Sequence, residues 1–471
     1  MFNFHEYRWL DLKLEAKTLF KLALPILFAQ LALTGLGVVD TLMSGAVGVV
    51  DLAAIGLGSS IMLPIFIMGT GILLAITPIV GKARGKEQKN ASLIQHLLQG
   101  LWISLPIGLI SLLLMSNMQW LLNLLELSPQ LYQLTEDYLY FVAFGMPAIA
   151  LYQAMRFYWE GLGKTLPTMW ISFFALILNI PLNAIFIYGF GPFEAMGAAG
   201  CGVATSLVMW SMLLIGFSYI LKTQILPDVK NTNQQRQHHI CWRPKWQGGC
   251  RDILKIGVPN AFALLFEVGL FMFIALFIAP LGATVIAGHQ IAISVTSLLF
   301  MIPLSLGMAV TVRVSQAHGE HSLQNLVTVL RTALLFSILA GLILAIVTFV
   351  FKDYIIGFYT DSTEVYAVAI SLIILASVYQ LFDSIQVTAA GCLRGFHDTH
   401  FTMWVTLVSY WLVGLGVGYL LTFTDWIVPA MGVDGFWIGI VLGLIISAIL
   451  LSWRLHQTFH RIQPTLLTSN G

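Results

Sequence analysis

Charge is what this chain has least of: 10% of its 471 residues are Asp, Glu, Lys or Arg, against roughly 25% in soluble domains. That scarcity excludes an ordinary water-facing surface. The balance of 23 basic and 22 acidic residues, a net charge of +1, gives no reason to expect nucleic acid. Four cysteines, Cys201, Cys241, Cys250 and Cys392, are too few and too scattered for a disulfide framework. No stretch alternates polar and apolar residues at period two, which argues against a transmembrane β-barrel. The basic start (Arg8, Lys13, Lys17, Lys21) leads into an apolar run too long for a signal-peptide core and without an obvious cleavage site. It reads as a retained first span.

Apolar sequence is abundant instead, at 58% of residues with a mean hydropathy of +0.86. Runs of about 20 residues, each able to cross a ~30 Å hydrocarbon core as a helix, follow one another nearly end to end. Pro, Gly and charge clusters divide them into twelve expected helices, near residues 20–45, 52–80, 92–115, 131–158, 165–189, 195–221, 251–279, 284–313, 323–350, 363–391, 399–421 and 432–455. With the N-terminus inside, only Lys352 of the 23 Lys and Arg residues falls in an outer loop, while Asp51, Glu126, Glu194, Asp353, Asp361, Asp425 and Asp434 gather there. By the positive-inside rule both termini are expected in the cytoplasm.

A polar segment rich in Gln, Asn and His divides the chain into an N-terminal part (1–222), a cytoplasmic linker (223–249) and a C-terminal part (250–471). The halves resemble each other. Phe20-Lys21-Leu22-Ala23-Leu24-Pro25 returns as Leu254-Lys255-Ile256-Gly257-Val258-Pro259, Thr77–Gly85 as Thr311–Gly319, and Thr168-Met169-Trp170 as Thr402-Met403-Trp404, all at an offset of 234. The expected fold is an all-α integral membrane protein of twelve helices in two six-helix bundles related by a parallel repeat. In secondary transporters such a repeat flanks a central cavity.

Against this background a few polar residues stand out. Glu267 is the one formal charge between Ile256 and Thr311, and an acid at a helix centre costs roughly 2.5–3.5 kcal/mol even on lenient insertion scales. Counted at 1.5 Å per residue from Lys255 and Arg394, Glu267 and Asp383 lie roughly 18 and 16 Å deep, with Tyr379 one turn from Asp383. Asp40, Asn179, Asn183 and Thr205 form a second polar level in the first half, roughly 22–28 Å from the inner basic residues. No Lys or Arg is expected deep enough to pair with these carboxylates. A proton, a hard cation or a cationic substrate could neutralise them. Taken singly, the Asn and Thr residues could equally be helix-packing groups.

Together, Val39-Asp40-Thr41, Pro25 and Pro259, Gly161-Leu162-Gly163-Lys164-Thr165, Asn179-x3-Asn183, Glu267, His289-Gln290 and Leu393-Arg394-Gly395 resemble the multidrug and toxic compound extrusion family, NorM branch, over about 15–455. The resemblance implies an inner-membrane antiporter that expels cationic amphipathic drugs in exchange for Na+ or H+. Carried over by motif, Glu267, Asp383 and Tyr379 would form a C-lobe cation site, the two carboxylates being the metal ligands if the ion is sodium. Asp40, Asn179, Asn183 and Thr205 would form an N-lobe cation or proton site, with His289 and Gln290 as substrate or relay groups. Members of the archaeal and DinF-like branch often carry an acid where this chain has Asn183, so their proton chemistry is not carried over. The expectation is a monomer in membrane lipid, with small cationic drugs as its partners and no cofactor beyond the coupling ion.

Other signals are weaker. Gly163-Lys164-Thr165 lacks the first glycine and preceding strand of a phosphate loop. His238, His239, Cys241 and Cys250 lack the paired spacing of a zinc site. Gly414-x3-Gly418 and Gly435-x3-Gly439-x3-Gly443 have the spacing of close helix contacts. The alternatives to a drug antiporter are a flippase for lipid-linked precursors or polysaccharides, which would want basic residues at depth, an intramembrane enzyme, and a channel. No nucleophile or metal motif supports the enzyme, and no recognisable filter supports the channel.

Overall fold

A computed structural model of the full chain describes residues 9–88, 90–223, 242–426 and 428–468. His238, His239 and Cys241 lie outside them. The described chain is helical, apart from loops and one isolated bridge between Phe190 and Phe193. Eleven helices are long and apolar enough to cross a membrane, or twelve when one bent pair is counted as a single span. They are α1 (Leu10–Gly45), α2 (Val49–Gly85), α3 (Ser92–Ser116), the bent α4 (Pro129–Ala143 with Met146–Gly161), α5 (Leu166–Tyr188), α6 (Ala198–Lys222), α7 (Trp246–Leu281), α8 (Ala283–Gly319), α9 (Leu323–Val350), α10 (Thr363–Gly395), α11 (Thr399–Phe423) and α12 (Val433–Pro464). Each coincides with one of the twelve expected runs.

The irregularities have local causes. The 45° bend in α4 falls at Phe144 and Gly145, where Pro147 can neither donate to the carbonyl of Ala143 nor accommodate it sterically. In α11, Leu407–Val417 winds as a wide π-type turn, a form concentrated at functional positions. It carries Tyr410 and Trp411.

The chain forms two compact units. One comprises Phe28–Ala261 and the other the residues up to Leu27 together with those from Phe262 onward, so each unit includes the first segment of the opposite half's leading helix. In the first unit, α4 packs on α2, α3 and α6; in the second, α10 packs on α8, α9 and α12. The repeat survives in individual contacts. Thr77 Oγ1 donates to the carbonyl of Phe157 at 3.2 Å, and Thr311 Oγ1 donates to that of Gly391 at 3.0 Å, both pairs being 80 residues apart. Ser128 and Ser362, 234 positions apart, each cap a helix by accepting from Leu131 N and Val365 N at 3.4 Å.

Glycine sets the closest approaches in both units. A Cβ on Gly161 would lie 2.7 Å from the carbonyl oxygen of Thr77, and one on Gly395 would lie 3.2 Å from that of Thr311. The Gly435/Gly439/Gly443 ladder of α12 lies against α11: a Cβ on Gly439 would stand 2.3 Å from the carbonyl oxygen of Gly414.

Candidate functional site

In the second unit α10 presents Tyr379 and Asp383 one turn apart, both buried, with Asp383 at 0% exposure. Neither carboxylate oxygen of Asp383 has a hydrogen-bond partner among the described residues. Tyr379 is an electrostatic neighbour of Asp383, but the geometry falls short of a hydrogen bond. Glu267, half-buried on α7, is an electrostatic neighbour of both Asp383 and Tyr379. The three residues singled out for the second half therefore share one location. A buried carboxylate without a partner is unstable as an anion, and a second carboxylate beside it adds repulsion, so the pair invites a cation or a proton.

Tyr410 completes the surroundings, and sequence reasoning missed it. Its ring is buried, its hydroxyl has no hydrogen-bond partner among the described residues, and it interacts electrostatically with Glu267, Asp383 and Tyr379. The depth count held the signal: Tyr410 lies 11 residues past Thr399, as far as Asp383 lies before Arg394, or roughly 16 Å in each case. Its neighbour Trp411 donates from Nε1 to the carbonyl of Phe266 at 3.1 Å, which pins α11 beside Glu267. Gln380, one residue after Tyr379, is fully buried, and neither end of its amide has a partner among the described residues. Buried polar atoms without protein partners are what an ion or water site requires.

One expectation needs correction. Arg394, the inner landmark for depth, is within electrostatic reach of Glu267, so that acid is not remote from positive charge. Buried arginine also occurs in the first unit, where Arg156 Nε meets Glu160 Oε1 at 2.8 Å with both side chains nearly inaccessible. Thr168 Oγ1 donates to the same Glu160 oxygen at 3.0 Å and receives Trp159 Nε1 at 2.8 Å. The apolar pattern concealed Arg156 because its charge is cancelled within one helical turn.

The Asp40 group of the first unit is organised differently. Asp40 Oδ1 accepts from Asn179 Nδ2 at 3.0 Å and Asn183 Nδ2 at 2.7 Å, and Oδ2 accepts from Thr205 Oγ1 at 3.3 Å. Asn183 Nδ2 also donates to Asn179 Oδ1 at 3.1 Å, which leaves Asn183 Oδ1 buried without a partner. All four residues named from the sequence meet at one carboxylate. Two more were missed: Ser44, a turn beyond Asp40 with a buried, partnerless hydroxyl, and Cys201, a turn before Thr205 and adjacent to Asp40. The i±4 positions of residues already chosen were the available clue.

His289 is buried, and its Nδ1 accepts from Trp437 Nε1 at 3.1 Å, so that nitrogen carries no proton in this arrangement; Nε2 is buried without a partner. Gln290 is exposed, in contrast to its buried neighbour. Cys250 belongs to packing: its thiol donates to Gln99 Oε1 at 3.4 Å, and that oxygen also accepts Lys245 N at 2.7 Å. Among the described residues no three His, Cys, Asp or Glu side chains cluster as a metal centre. A carboxylate pair with phenols instead suits a hard monovalent cation or a proton.

Comparison with known proteins bears on the same elements. The sequence model of the MatE family matches residues 25–185 and 259–420, two segments whose starts are 234 positions apart. The chain is 42% identical over 459 residues to "Probable multidrug resistance protein NorM" of Shewanella oneidensis, covering 97% of this chain and 98% of that protein. It is 40% identical over 452 residues to "Multidrug resistance protein MdtK" of Yersinia pseudotuberculosis, covering 96% and 97%. Among solved structures, the eukaryotic MATE transporter AtDTX14 superposes with a TM-score of 0.81 at 20% identity over 97% of this chain and 100% of that one. The Vibrio cholerae MATE transporter VcmN in its bent form gives 0.80 at 20% identity over 96% and 98%.

Proposed function

The chain belongs to the MatE family, and on that premise we propose that it is a multidrug efflux transporter, not an enzyme, exchanging cationic amphipathic drugs for Na+ or H+ by alternating access. The observation that carries the reading is Asp383, fully buried beside Glu267, Tyr379 and Tyr410 with neither oxygen partnered. Antiport requires that the coupling ion and the drug compete: whichever neutralises the carboxylates excludes the other, and the linkage is reciprocal. Glu267 and Asp383 hold the coupling ion, as metal ligands if it is sodium, while the phenols of Tyr379 and Tyr410 offer neutral oxygens. Asp40 with Asn179, Asn183 and Thr205 is a second, more fully hydrogen-bonded carboxylate that takes a cation or proton in the first unit. His289 is held by Trp437 and serves positioning more readily than relay.

Exchange of one monovalent ion for one monovalent drug moves no net charge. The membrane potential, worth ~2.3 kcal/mol per charge per 100 mV, then cancels, and the ion concentration gradient alone drives export. The distribution of Lys and Arg supports cytoplasmic termini, and membership of the family supports placement in the inner membrane. A phosphate-carrying flippase is less well supported, because the buried Arg156 is already committed to Glu160. The test is uptake of a cationic dye into inverted vesicles under an imposed sodium gradient and, separately, an imposed proton gradient. Uptake under one gradient identifies the coupling ion; uptake under neither refutes antiport.

A further inference from the structure

The last turns of α12 carry a feature that transport does not use. One face is tied down: Arg454 Nε donates to Asp398 Oδ2 at 2.7 Å, Thr458 Oγ1 donates to the same oxygen at 3.1 Å, and Leu455 and Phe459 are buried. Another face presents His456 and His460, both exposed. Four residues apart on a helix, they project from one stripe. Their ring centroids are 4.3 Å apart with an interplanar angle of 78°. Among the described residues, no hydrogen bond occupies either ring.

We propose that His456 and His460 form a two-imidazole chelate for a borderline divalent transition ion, Cu2+ most tightly and Zn2+ or Ni2+ less so. Imidazole nitrogen favours these ions, and copper(II) leads the usual affinity order. Hard ions such as Mg2+ and Ca2+ want carboxylate and carbonyl oxygens, which this stripe does not supply. The first metal–nitrogen bond holds the second imidazole at high effective concentration. The Asp398 tie means that the helix is already ordered, so little entropy is lost on binding. Water fills the remaining coordination positions, because no third His, Cys, Asp or Glu joins the cluster among the described residues. The site is therefore exchangeable, unlike a closed four-ligand structural zinc centre.

The test uses the full-length protein in detergent, stripped with a chelator and titrated with Cu2+ at neutral pH, read by calorimetry and electron paramagnetic resonance. The expected result is a tight equivalent whose spectrum shows two nitrogen ligands. H456Q and H460Q should each reduce this to one nitrogen and weaken binding at least roughly tenfold, and the double variant should lose the equivalent. A variant carrying H238N, H239N and C241S should keep it, which separates the site from the linker. D398N, which loosens the helix without touching a ligand, should weaken binding and leave the two-nitrogen signature. The proposal is overturned if the double histidine variant retains the tight equivalent, if either single variant binds as the parent does, or if the parent binds no tighter than free imidazole.

Discussion

Asp383→Asn preserves the side-chain shape and removes the negative charge, which makes it the sharpest probe of the carboxylate site. Asp383 is at 0% exposure and has no partner on either oxygen among the described residues. An anion held this way costs several kcal/mol until a cation neutralises it. An unpartnered amide costs less, about 1–3 kcal/mol. Free of ion, D383N should therefore melt at or above the parental temperature. In the loaded protein the charged carboxylate contributes about 1.5–3 kcal/mol per contact, so its loss should weaken binding of the coupling ion or a cationic dye roughly 10- to 150-fold. The assay pairs thermal melting in detergent, with and without Na+, with gradient-driven dye exchange in proteoliposomes. A folded D383N protein that exchanges dye at the parental rate would show that Asp383 is a packing residue.

Further perturbations separate chemistry from packing. Glu267→Gln should likewise abolish gradient-driven exchange while leaving the yield of folded protein unchanged; parental exchange rates would remove Glu267 from the mechanism. Tyr410→Phe deletes a buried hydroxyl that has no partner among the described residues, so stability should be unchanged or raised by about 1 kcal/mol while coupling-ion affinity falls severalfold; a lower melting temperature with unaltered affinity contradicts its assignment to the site. Asp40→Ala leaves the Asn179 and Asn183 amides without their common acceptor, and should destabilise the first unit by about 1–3 kcal/mol, visible as a lower melting temperature. Gly439→Ala drives a Cβ to 2.3 Å from the Gly414 carbonyl oxygen and should cost about 1–3 kcal/mol; an unchanged melt would mean that α11 and α12 can separate freely.

Much of the architecture was legible before any coordinates, because lipid imposes a coarse rule. A spanning helix must satisfy its backbone internally and keep about 20 apolar residues together, so hydropathy located all twelve spans, including the bent α4. The 234-residue offset was equally visible, and the paired contacts of Thr77 and Thr311 show that it is a repeat of structure as well as of sequence. The polar residues of the candidate sites were found for the same reason: a charge in hydrocarbon is conspicuous. Tyr410, Cys201 and Ser44 were not, since aromatic, thiol and hydroxyl groups are unremarkable in a span until their neighbours are known.

The repeat also frames how function departs from symmetry. At the 234 offset, Asp40 corresponds to Ile274, Asp383 to Ile149 and Glu267 to Leu33. The carboxylates are therefore not duplicates of one ancestral site but separate placements on a shared frame. Glu160 corresponds to Arg394: an acid paired with Arg156 in one unit, a base within electrostatic range of Glu267 in the other.

The amino-acid sequence by itself determined membrane residence, the number and approximate positions of the spans, the internal repeat and which acids lie at depth, because all of these depend on composition along the chain; helix ends ran as far as ten residues beyond the expected limits, as at Leu10 and Pro464. Only the tertiary structure decided which side chains meet. It showed that Asp40 is satisfied by three donors while Asp383 has none among the described residues, that Arg394 lies within electrostatic range of Glu267, and that Asp398 steadies the helix bearing His456 and His460. Those outcomes depend on helix rotation and on contacts between residues distant along the chain, and a hydropathy pattern carries neither.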